Sequence, residues 1–318
     1  MGVDHANGGA AWTSGEVRMD IRQLKYFLAV VDHQGFNRAA EKLLIAQPSL
    51  SQTIKTLEQE AGVPLFHRVG RRAVLSEAGK ALVGPARLVL RDLEAAQSAM
   101  ADLKGVRSGR LELVAMPSPG IEPLTSMIAT YTRLYPGVTV STDAAFTVED
   151  VVASVRNGSA EVGLLGSDSP IKVPDVDVIQ LERQPLVLII NPHADEFGGR
   201  EVLAREDLGG HRVVVSQRGS LMRALVDDVL ADGVAVEIVV EVAHRTSVLP
   251  LVLAGVGHAV MPQSWAPLAR QSGLRVAGIE PVSELHVAIL SRQSNLTPAA
   301  RAFLDVATEY ADSHANRD

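Results

Sequence analysis

The sequence of 318 residues contains no cysteine, and this absence excludes several kinds of site at once. A disulfide framework, a thiolate zinc site, an iron-sulfur cluster and a cysteine nucleophile all require that side chain. The nine histidines offer no replacement, because no two of them stand within thirteen residues of each other, whereas helical metal-binding pairs stand about four residues apart. We therefore predict no metal site, and the missing thiols fit a reducing cytoplasm.

Long apolar runs and catalytic motifs are missing as well. The longest nearly apolar stretch, Ser247 to Met261, is too short to cross a bilayer. Neither a GxSxG elbow nor a GxxxxGK(S/T) phosphate loop occurs, and the adjacent Glu149 and Asp150 are typical of a solvated face. Residues 1–18 lack the basic start and apolar run of an export signal, and we expect a flexible extension there. The prediction is a non-enzymatic chain with no catalytic residues, no cofactor and no membrane contact.

Acidic and basic residues are unevenly distributed along the chain. At roughly 150 residues per domain, the length predicts about two domains. The formal net charge is -7, yet residues 19–110 carry 14 Lys or Arg and 9 Asp or Glu, whereas residues 111–318 carry 15 and 26. A basic N-terminal third joined to an acidic remainder predicts a head that binds a polyanion and a body with another task.

Three helices are predicted between residues 20 and 62. Asp20 followed by Gln23 predicts a capping box for the first helix. Asn37 is expected to cap the second helix, which carries Ala39, Ala40, Leu43 and Leu44. Pro48 fits the first turn of the third helix, which ends at Gly62. One side of this third helix is polar and weakly basic, as a helix in a DNA major groove would be, and consists of Pro48, Ser49, Gln52, Lys55, Thr56 and Gln59.

A hairpin and a long helix are predicted next. The stretch VPLFHRVGRRAVL reads as two short strands whose basic tip, with Arg68, Arg71 and Arg72, would contact phosphates or form a solvated turn. Ser76 is expected to cap a helix that continues to about Leu103. Its apolar residues advance at coiled-coil spacing, which predicts either a seam with a second copy or a helix packed on its own domain. These residues are Leu82, Val89, Leu93, Ala96, Met100 and Leu103.

The motifs RQLKYF, FNRAAEKL, AQPSLSQTIKTLE, LFHR and LSEAG follow one another in the first 80 residues. In this order they resemble the N-terminal region of LysR-type transcriptional regulators. The resemblance implies a winged helix-turn-helix, a dimerising linker helix and an effector-binding domain. It also implies DNA contacts from Gln47, Pro48, Ser49, Ser51, Gln52 and Lys55 on the third helix and from Arg68, Arg71 and Arg72 in the wing. Thr53 and Thr56 are neutral where such regulators are often basic, so base contacts and DNA shape are expected to carry more of the selectivity.

From Arg110 onward, short apolar runs alternate with helical segments, which predicts two α/β lobes. The second lobe is expected to begin with the strand PLVLIIN. Because ligands of open α/β sheets bind beyond the carboxyl ends of strands, we predict an effector site from the residues at those ends. They are Ser118, Phe146, Thr147, Ser216, Arg218 and Thr246. Arg218 or Arg245 would supply the charge for a small carboxylate, although hydroxyls at helix starts can equally be ordinary caps.

The complete prediction is an α/β protein with an N-terminal winged helix-turn-helix, a long linker helix and a two-lobed periplasmic-binding-protein-like effector domain. Its function would be transcriptional regulation on double-stranded DNA by a homodimer or homotetramer that responds to a small-molecule effector. A solute-binding protein would leave residues 19–103 unexplained, and an α/β enzyme would need a catalytic constellation. The expected parts are an extension (1–18), a DNA-binding domain (19–80), a linker helix (77–105) and an effector-binding domain (110–318), the latter with lobe I at about 110–183 and 282–312 and lobe II at about 184–281.

Overall fold

The computed structural model describes residues 19–69, 72–101, 109–191 and 197–315. The chain divides into two compact units, the first ending at Leu90 and the second beginning at Arg91. The expected extension, residues 1–18, lies outside the described residues. The first unit contains α1 (Ile21–Asp32), α2 (Phe36–Lys42), α3 (Gln47–Ala61), β1 (Phe66–Val69) and β2 (Arg72–Leu75), and α4 (Glu77–Ala101) begins in the first unit and ends in the second.

The start of α1 confirms its predicted capping box. The Asp20 side chain accepts a hydrogen bond from the backbone of Gln23, whose side chain accepts one from the backbone N–H of Asp20, both at 2.8 Å. The prediction for α2 was wrong, because Gly35 stands at the N-cap and Asn37 lies inside the helix. Leu44 does not belong to the buried face either, since it is 92% exposed and follows the helix in a left-handed conformation.

Helix α3 has one buried face and one open face. Leu50, Ile54 and Leu57 pack into the core of the first unit, and Gly62 ends the helix with a φ of +70°, a conformation that side chains with a Cβ rarely adopt. Strands β1 and β2 form the expected antiparallel hairpin. Helix α4 begins as predicted, because the Ser76 hydroxyl accepts a hydrogen bond from the backbone N–H of Gly79 at 2.9 Å.

The second unit is a mixed α/β structure in two lobes. Its elements are β3 (Gly109–Ala115), α5 (Leu124–Leu134), β4 (Val138–Ala144), α6 (Val148–Arg156), β5 (Val162–Ser167), β6 (Val176–Ile190), β7 (Val202–Ala204), β8 (Arg212–Ser216), α7 (Leu221–Ala231), β9 (Glu237–Val242), α8 (Val248–Leu253), β10 (Ala259–Pro262), α9 (Ala266–Gln271), β11 (Arg275–Glu280), β12 (Glu284–Arg292) and α10 (Pro298–Ala315). The winged helix-turn-helix, the long helix and the two lobes confirm the predicted fold class.

Strand β6 joins the two lobes. Up to Pro185 it pairs antiparallel with β12, and from Leu186 it pairs with β10 and β11. Lobe I has the strand order β4, β3, β5, β12 and β6, with α5, α6 and α10. In lobe II, β10 and β11 pair with the second part of β6, and β7 pairs with β11. The parallel strands β8 and β9 are joined to the residue before β10 by a bridge from Val213 to His258. The chain therefore passes from lobe I to lobe II around Pro185, and we refer to β6 as the hinge strand.

Each lobe has its own apolar core. Tyr131 and Phe303 meet edge to face in the core of lobe I, with ring centroids 5.3 Å apart. Lobe II holds two buried clusters, one of which includes Leu188 and Val213 and the other Ile189 and Trp265. Within the described ranges, no helix combines the length and apolar character that crossing a membrane requires.

Candidate functional site

The open face of α3 presents most of the side chains predicted to contact DNA. Pro48, Ser49, Gln52 and Lys55 are exposed. Gln47 and Ser51 are half-buried, and the Gln47 amide donates a hydrogen bond to the Ser51 hydroxyl at 2.7 Å. These residues share one face because they stand three or four positions apart on a helix. The face is polar, which suits contacts with base edges in a major groove.

The wing is held against the C-terminal half of α3. The Glu58 carboxylate accepts hydrogen bonds from the backbone N–H groups of Leu65 and Phe66 at 2.8 and 3.1 Å. This fixes where β1 begins relative to α3. Of the predicted wing contacts, Arg71 and the side chains of Arg68 and Arg72 lie outside the described residues.

The predicted seam of α4 is divided between two environments. Leu82 packs against the core of the first unit, as the alternative of a helix packed on its own domain predicts for this position. Val89 and Ala96 are exposed, and Leu93 is half-buried. The side chain of Met100 and all of Leu103 lie outside the described residues.

A cavity of about 520 Å³ lies between the two lobes of the second unit. It is bounded in lobe I by the segments that follow β3, β4 and β5, and in lobe II by the start of α7 and by Arg245. The ends of three lobe I strands therefore meet at this cavity. Its principal lining residues are Met116, Ser118, Phe146, Thr147, Glu149, Ser167, Asp168, Ser220, Leu221, Met222, Arg245 and Leu285.

Arg245 and Ser118 bridge the two lobes across this cavity. The Arg245 guanidinium donates a hydrogen bond from Nη1 to the hydroxyl of Ser118, which is fully buried. Burial lowers the pKa of Arg245 to about 10, so the guanidinium remains charged at neutral pH. Arg245 forms no ion pair with a carboxylate of the described residues. The cavity therefore contains a partly desolvated positive charge whose protein partner is a neutral hydroxyl.

The predicted effector residues divide into two groups. Ser118, Phe146 and Thr147 line the cavity, whereas Ser216, Arg218 and Thr246 do not. After β8 the chain continues to Ser220 before α7 begins, so the lining comes from the helix start and not from the strand end. Thr147 also caps α6, since its hydroxyl accepts a hydrogen bond from the backbone N–H of Asp150 at 3.1 Å.

Several of the lining residues that the prediction omitted are apolar. Leu221 and Met222 at the start of α7, and Leu285 on β12, form this part of the wall. The cap Ser220 was visible in the sequence, and its hydroxyl accepts a hydrogen bond from the backbone N–H of Arg223 at 3.3 Å. The local sequence does not predict that the start of α7 lines the cavity.

Negative charge surrounds the mouth of the cavity. Glu149 and Asp168 on lobe I are exposed, and Asp227 on α7 accepts a hydrogen bond from the Arg223 guanidinium at 2.8 Å. No cluster of three metal-ligating side chains occurs among residues that the structure describes.

Comparison with known proteins finds a LysR family model for each of the two units. The family model described as "Bacterial regulatory helix-turn-helix protein, lysR family" matches residues 21–80. The family model described as "LysR substrate binding domain" matches residues 104–312, about two thirds of the chain.

Similar individual proteins match over nearly the whole length. An uncharacterized HTH-type transcriptional regulator, YfeR of Shigella flexneri, is 29% identical, with 92% of this chain and 94% of the relative covered. The HTH-type transcriptional regulator CbbR of Rhodospirillum rubrum is 28% identical, with 89% and 94% covered. The crystal structure of full-length CbnR complexed with its target DNA has a TM-score of 0.68 at 23% identity, with 92% of this chain and 100% of that chain covered.

The helix-turn-helix model thus matches the first unit and the substrate-binding model matches the two-lobed second unit. The chain belongs to the LysR family of bacterial transcriptional regulators, which are DNA-binding proteins with an effector-binding domain and not enzymes.

Proposed function

We propose that this regulator responds to a small anion carrying a single carboxylate, bound in the cavity between the lobes. The observation that carries the proposal is the charged guanidinium of Arg245, which faces the cavity without a carboxylate partner among the described residues. A charge removed from water is costly unless it is paired. A bound carboxylate would supply that pair and would take two parallel hydrogen bonds from the guanidinium.

The remaining lining narrows the effector class. Glu149 and Asp168 would repel a second or third negative charge at the mouth of the cavity. Leu221, Met222 and Leu285 would bury an apolar part of the ligand. A monocarboxylate with a short apolar body satisfies both constraints, whereas a phosphate ester with two negative charges satisfies only the contact with Arg245.

The DNA contacts are part of the same proposal. Gln47, Pro48, Ser49, Ser51, Gln52 and Lys55 would read the major groove, and Arg68, Arg71 and Arg72 would lie on phosphates or in the adjacent minor groove. The exposed polar face of α3 supports this assignment. We further propose a cytoplasmic homodimer or homotetramer that places two such heads on two half-sites.

A thermal-shift screen of the full-length protein tests the effector class. The panel contains small monocarboxylates, their neutral amides, amines of the same shape and phosphate esters. We expect monocarboxylates to stabilise the protein by about 2.7 kcal/mol at a hundredfold excess over Kd. Stabilisation by the amides or amines alone would overturn the proposal.

Four variants locate the site. Arg245→Gln and Ser118→Ala are expected to lose most of the ligand-induced shift, because they remove the charge and its neighbouring hydroxyl. Arg218→Gln and Thr246→Ala change exposed residues outside the cavity, and they are expected to respond like the wild type. If Arg245→Gln retained the full shift while Arg218→Gln lost it, the binding charge would be Arg218.

A further inference from the structure

We propose that helix α10 relays movements of the hinge between the lobes to the linker helix α4, through polar contacts at both of its ends. The inference rests on the proposed function in one respect, namely that effector binding is what moves the hinge. The contacts themselves are present in the second unit and connect α4, α10 and β6.

The first contact fastens α4 to lobe I. Arg91 is buried, and its guanidinium donates hydrogen bonds from Nη2 to the Glu112 carboxylate on β3 and, at 2.9 Å, to the backbone carbonyl of Ser159. Its Nη1 lies 3.7 Å from Oε2 of Glu161. A buried arginine with three oxygen partners on one side holds a helix in a single position and register, because any shift leaves buried charges unpaired.

Glu161 passes this contact to the start of α10. The carboxylate is 1% exposed and accepts hydrogen bonds from both the backbone N–H and the hydroxyl of Thr297, each at 3.1 Å. The Thr297 hydroxyl also accepts a hydrogen bond from the backbone N–H of Ala300 and so caps α10. One carboxylate therefore touches the arginine of the linker helix and the first turn of α10.

A second ion pair runs beside the first one. Nη1 of Arg292, on β12, lies 3.6 Å from the Asp92 carboxylate on α4. Arg110 adds its Nε at 3.2 Å from the Glu112 carboxylate. Three arginines thus face three carboxylates where α4 meets lobe I. The geometry of α4 at this point depends on where β12 and the start of α10 lie.

Between its ends, α10 is fixed in the core of lobe I. Phe303 and Ala307 are fully buried, and the Tyr131 hydroxyl donates a hydrogen bond to the carbonyl of Ala299 at 2.9 Å. Packed cores have few voids, so a helix held in this way moves as a body and does not deform locally. A displacement at the C-terminal end of α10 will therefore reach its first turn.

The C-terminal end of α10 touches the hinge strand. The Tyr310 hydroxyl donates a hydrogen bond to Oε2 of Glu182 on β6 at 2.9 Å. Oε1 of the same carboxylate accepts a hydrogen bond from the amide of Gln184, a buried residue two positions further along β6. The chain of contacts has now passed from α4 through α10 to the strand that joins the lobes.

Gln184 is where the two lobes meet in this chain of contacts. Its amide also donates a hydrogen bond to the Glu122 carbonyl of lobe I at 3.0 Å, and its carbonyl oxygen accepts one from the Ser264 hydroxyl of lobe II at 2.8 Å. A rotation of one lobe against the other cannot keep both bonds. If one of these hydrogen bonds breaks, Glu182 and Tyr310 would shift, and α10 would transmit the shift to the contact with Arg91.

Hydrogen exchange of the full-length protein, followed by mass spectrometry, tests the relay without any ligand. The readout is the exchange rate of peptides from residues 91–101. We expect Arg91→Met to raise this rate about tenfold, because the fastening is lost, and Tyr310→Phe to raise it about threefold, since one hydrogen bond is worth roughly that factor. Tyr310→Phe keeps the ring and removes only the hydroxyl at the far end of the relay.

A matched control and a double variant complete the experiment. Tyr135 is also packed on the core of lobe I, and its hydroxyl makes no hydrogen bond with a described residue, so Tyr135→Phe is expected to leave residues 91–101 unchanged. The double variant Arg91→Met/Tyr310→Phe is expected to exchange no faster than Arg91→Met alone, because α4 is already released.

Two results would overturn the relay. In one, Tyr310→Phe speeds exchange only in α10 and β6 and leaves α4 at the wild-type rate. In the other, the two changes act independently and their factors multiply in the double variant. Because no effector is added, neither result depends on the proposed carboxylate, and a failed ligand screen would leave the exchange rates untouched.

Discussion

At the scale of single residues, Arg245 and Glu161 are two desolvated ionisable groups in contrasting settings. Arg245 has only a hydroxyl as its partner in the cavity between the lobes. Glu161 is satisfied by two hydrogen bonds from Thr297 and lies near Arg91. Burial nevertheless outweighs these contacts and raises the pKa of Glu161 above its ordinary value of 4.5. A carboxyl with a raised pKa stabilises the fold in its protonated form and does so less as it ionises.

The pH dependence of stability should therefore change in Glu161→Gln. The stabilising contribution of Glu161 is fully present below pH about 4.5 and is lost as the pH rises through the raised value in the folded protein. We expect the Tm of the wild type to fall relative to that of Glu161→Gln over this interval. Thermal melts of both proteins from pH 4 upward measure it, with the exposed change Glu309→Gln as control. If the Tm of the wild type instead rose relative to that of Glu161→Gln with increasing pH, the prediction would be wrong.

At the scale of elements, α3 and the wing are expected to perform different parts of DNA binding. The exposed Gln52 lies on the polar face of α3, where it can meet base edges. Arginines of the wing would neutralise phosphates, a contact that releases counterions and makes binding depend on salt. The two elements can therefore be separated by their salt dependence.

Substitutions in the two elements should give two distinct losses. Arg71→Ala/Arg72→Ala is expected to weaken binding to every duplex and to lower the salt slope by roughly one to two units. Gln52→Ala is expected to relax base preference at an unchanged slope, while Gln59→Ala, further along the exposed face, keeps both properties. Titrations of a duplex selected from a random pool, at several salt concentrations, measure these quantities. An unchanged salt slope in the double variant would show that the wing does not contact the phosphates.

At the scale of the whole molecule, the remaining question concerns assembly through α4. Leu82 is occupied by the core of its own unit, so the seam that we predict starts further along the helix, at Val89, Leu93 and Ala96. Val89 is an exposed large apolar residue, which is what a helix seam presents before a second copy covers it.

Leu93→Asp is expected to dissociate the oligomer, because it would bury an unpaired carboxylate in that seam at a cost of several kcal/mol. Light scattering measures the mass. The dissociated variant is also expected to lose binding to a duplex with two half-sites. Gln97→Asp adds the same charge at an exposed position of the same helix and should leave the mass unchanged. An unchanged mass for Leu93→Asp would place the contact elsewhere, in the effector-binding domains.

Elements whose signals lie within a few residues could be predicted from the sequence alone. The capping box at Asp20, the cap at Ser76 and the end of α3 at Gly62 were all predicted correctly, because the groups that form them are close along the chain. The class of fold followed from the alternation of such elements. Local signals also misled, since Asn37 is a good cap residue in a place where Gly35 begins the helix.

Which side chains meet depends on long-range packing. Arg245 and Ser118 are 127 positions apart, and Glu161 and Thr297 are 136 apart, so no local pattern predicts either contact. The start of β6 at Val176, the short strand β7 and strand β11 were missed for a related reason, because strands are stabilised by partners distant in sequence. The fold places the ends of β3, β4 and β5 beside α7 and Arg245. This placement forms the cavity, whose lining the sequence predicted only in part.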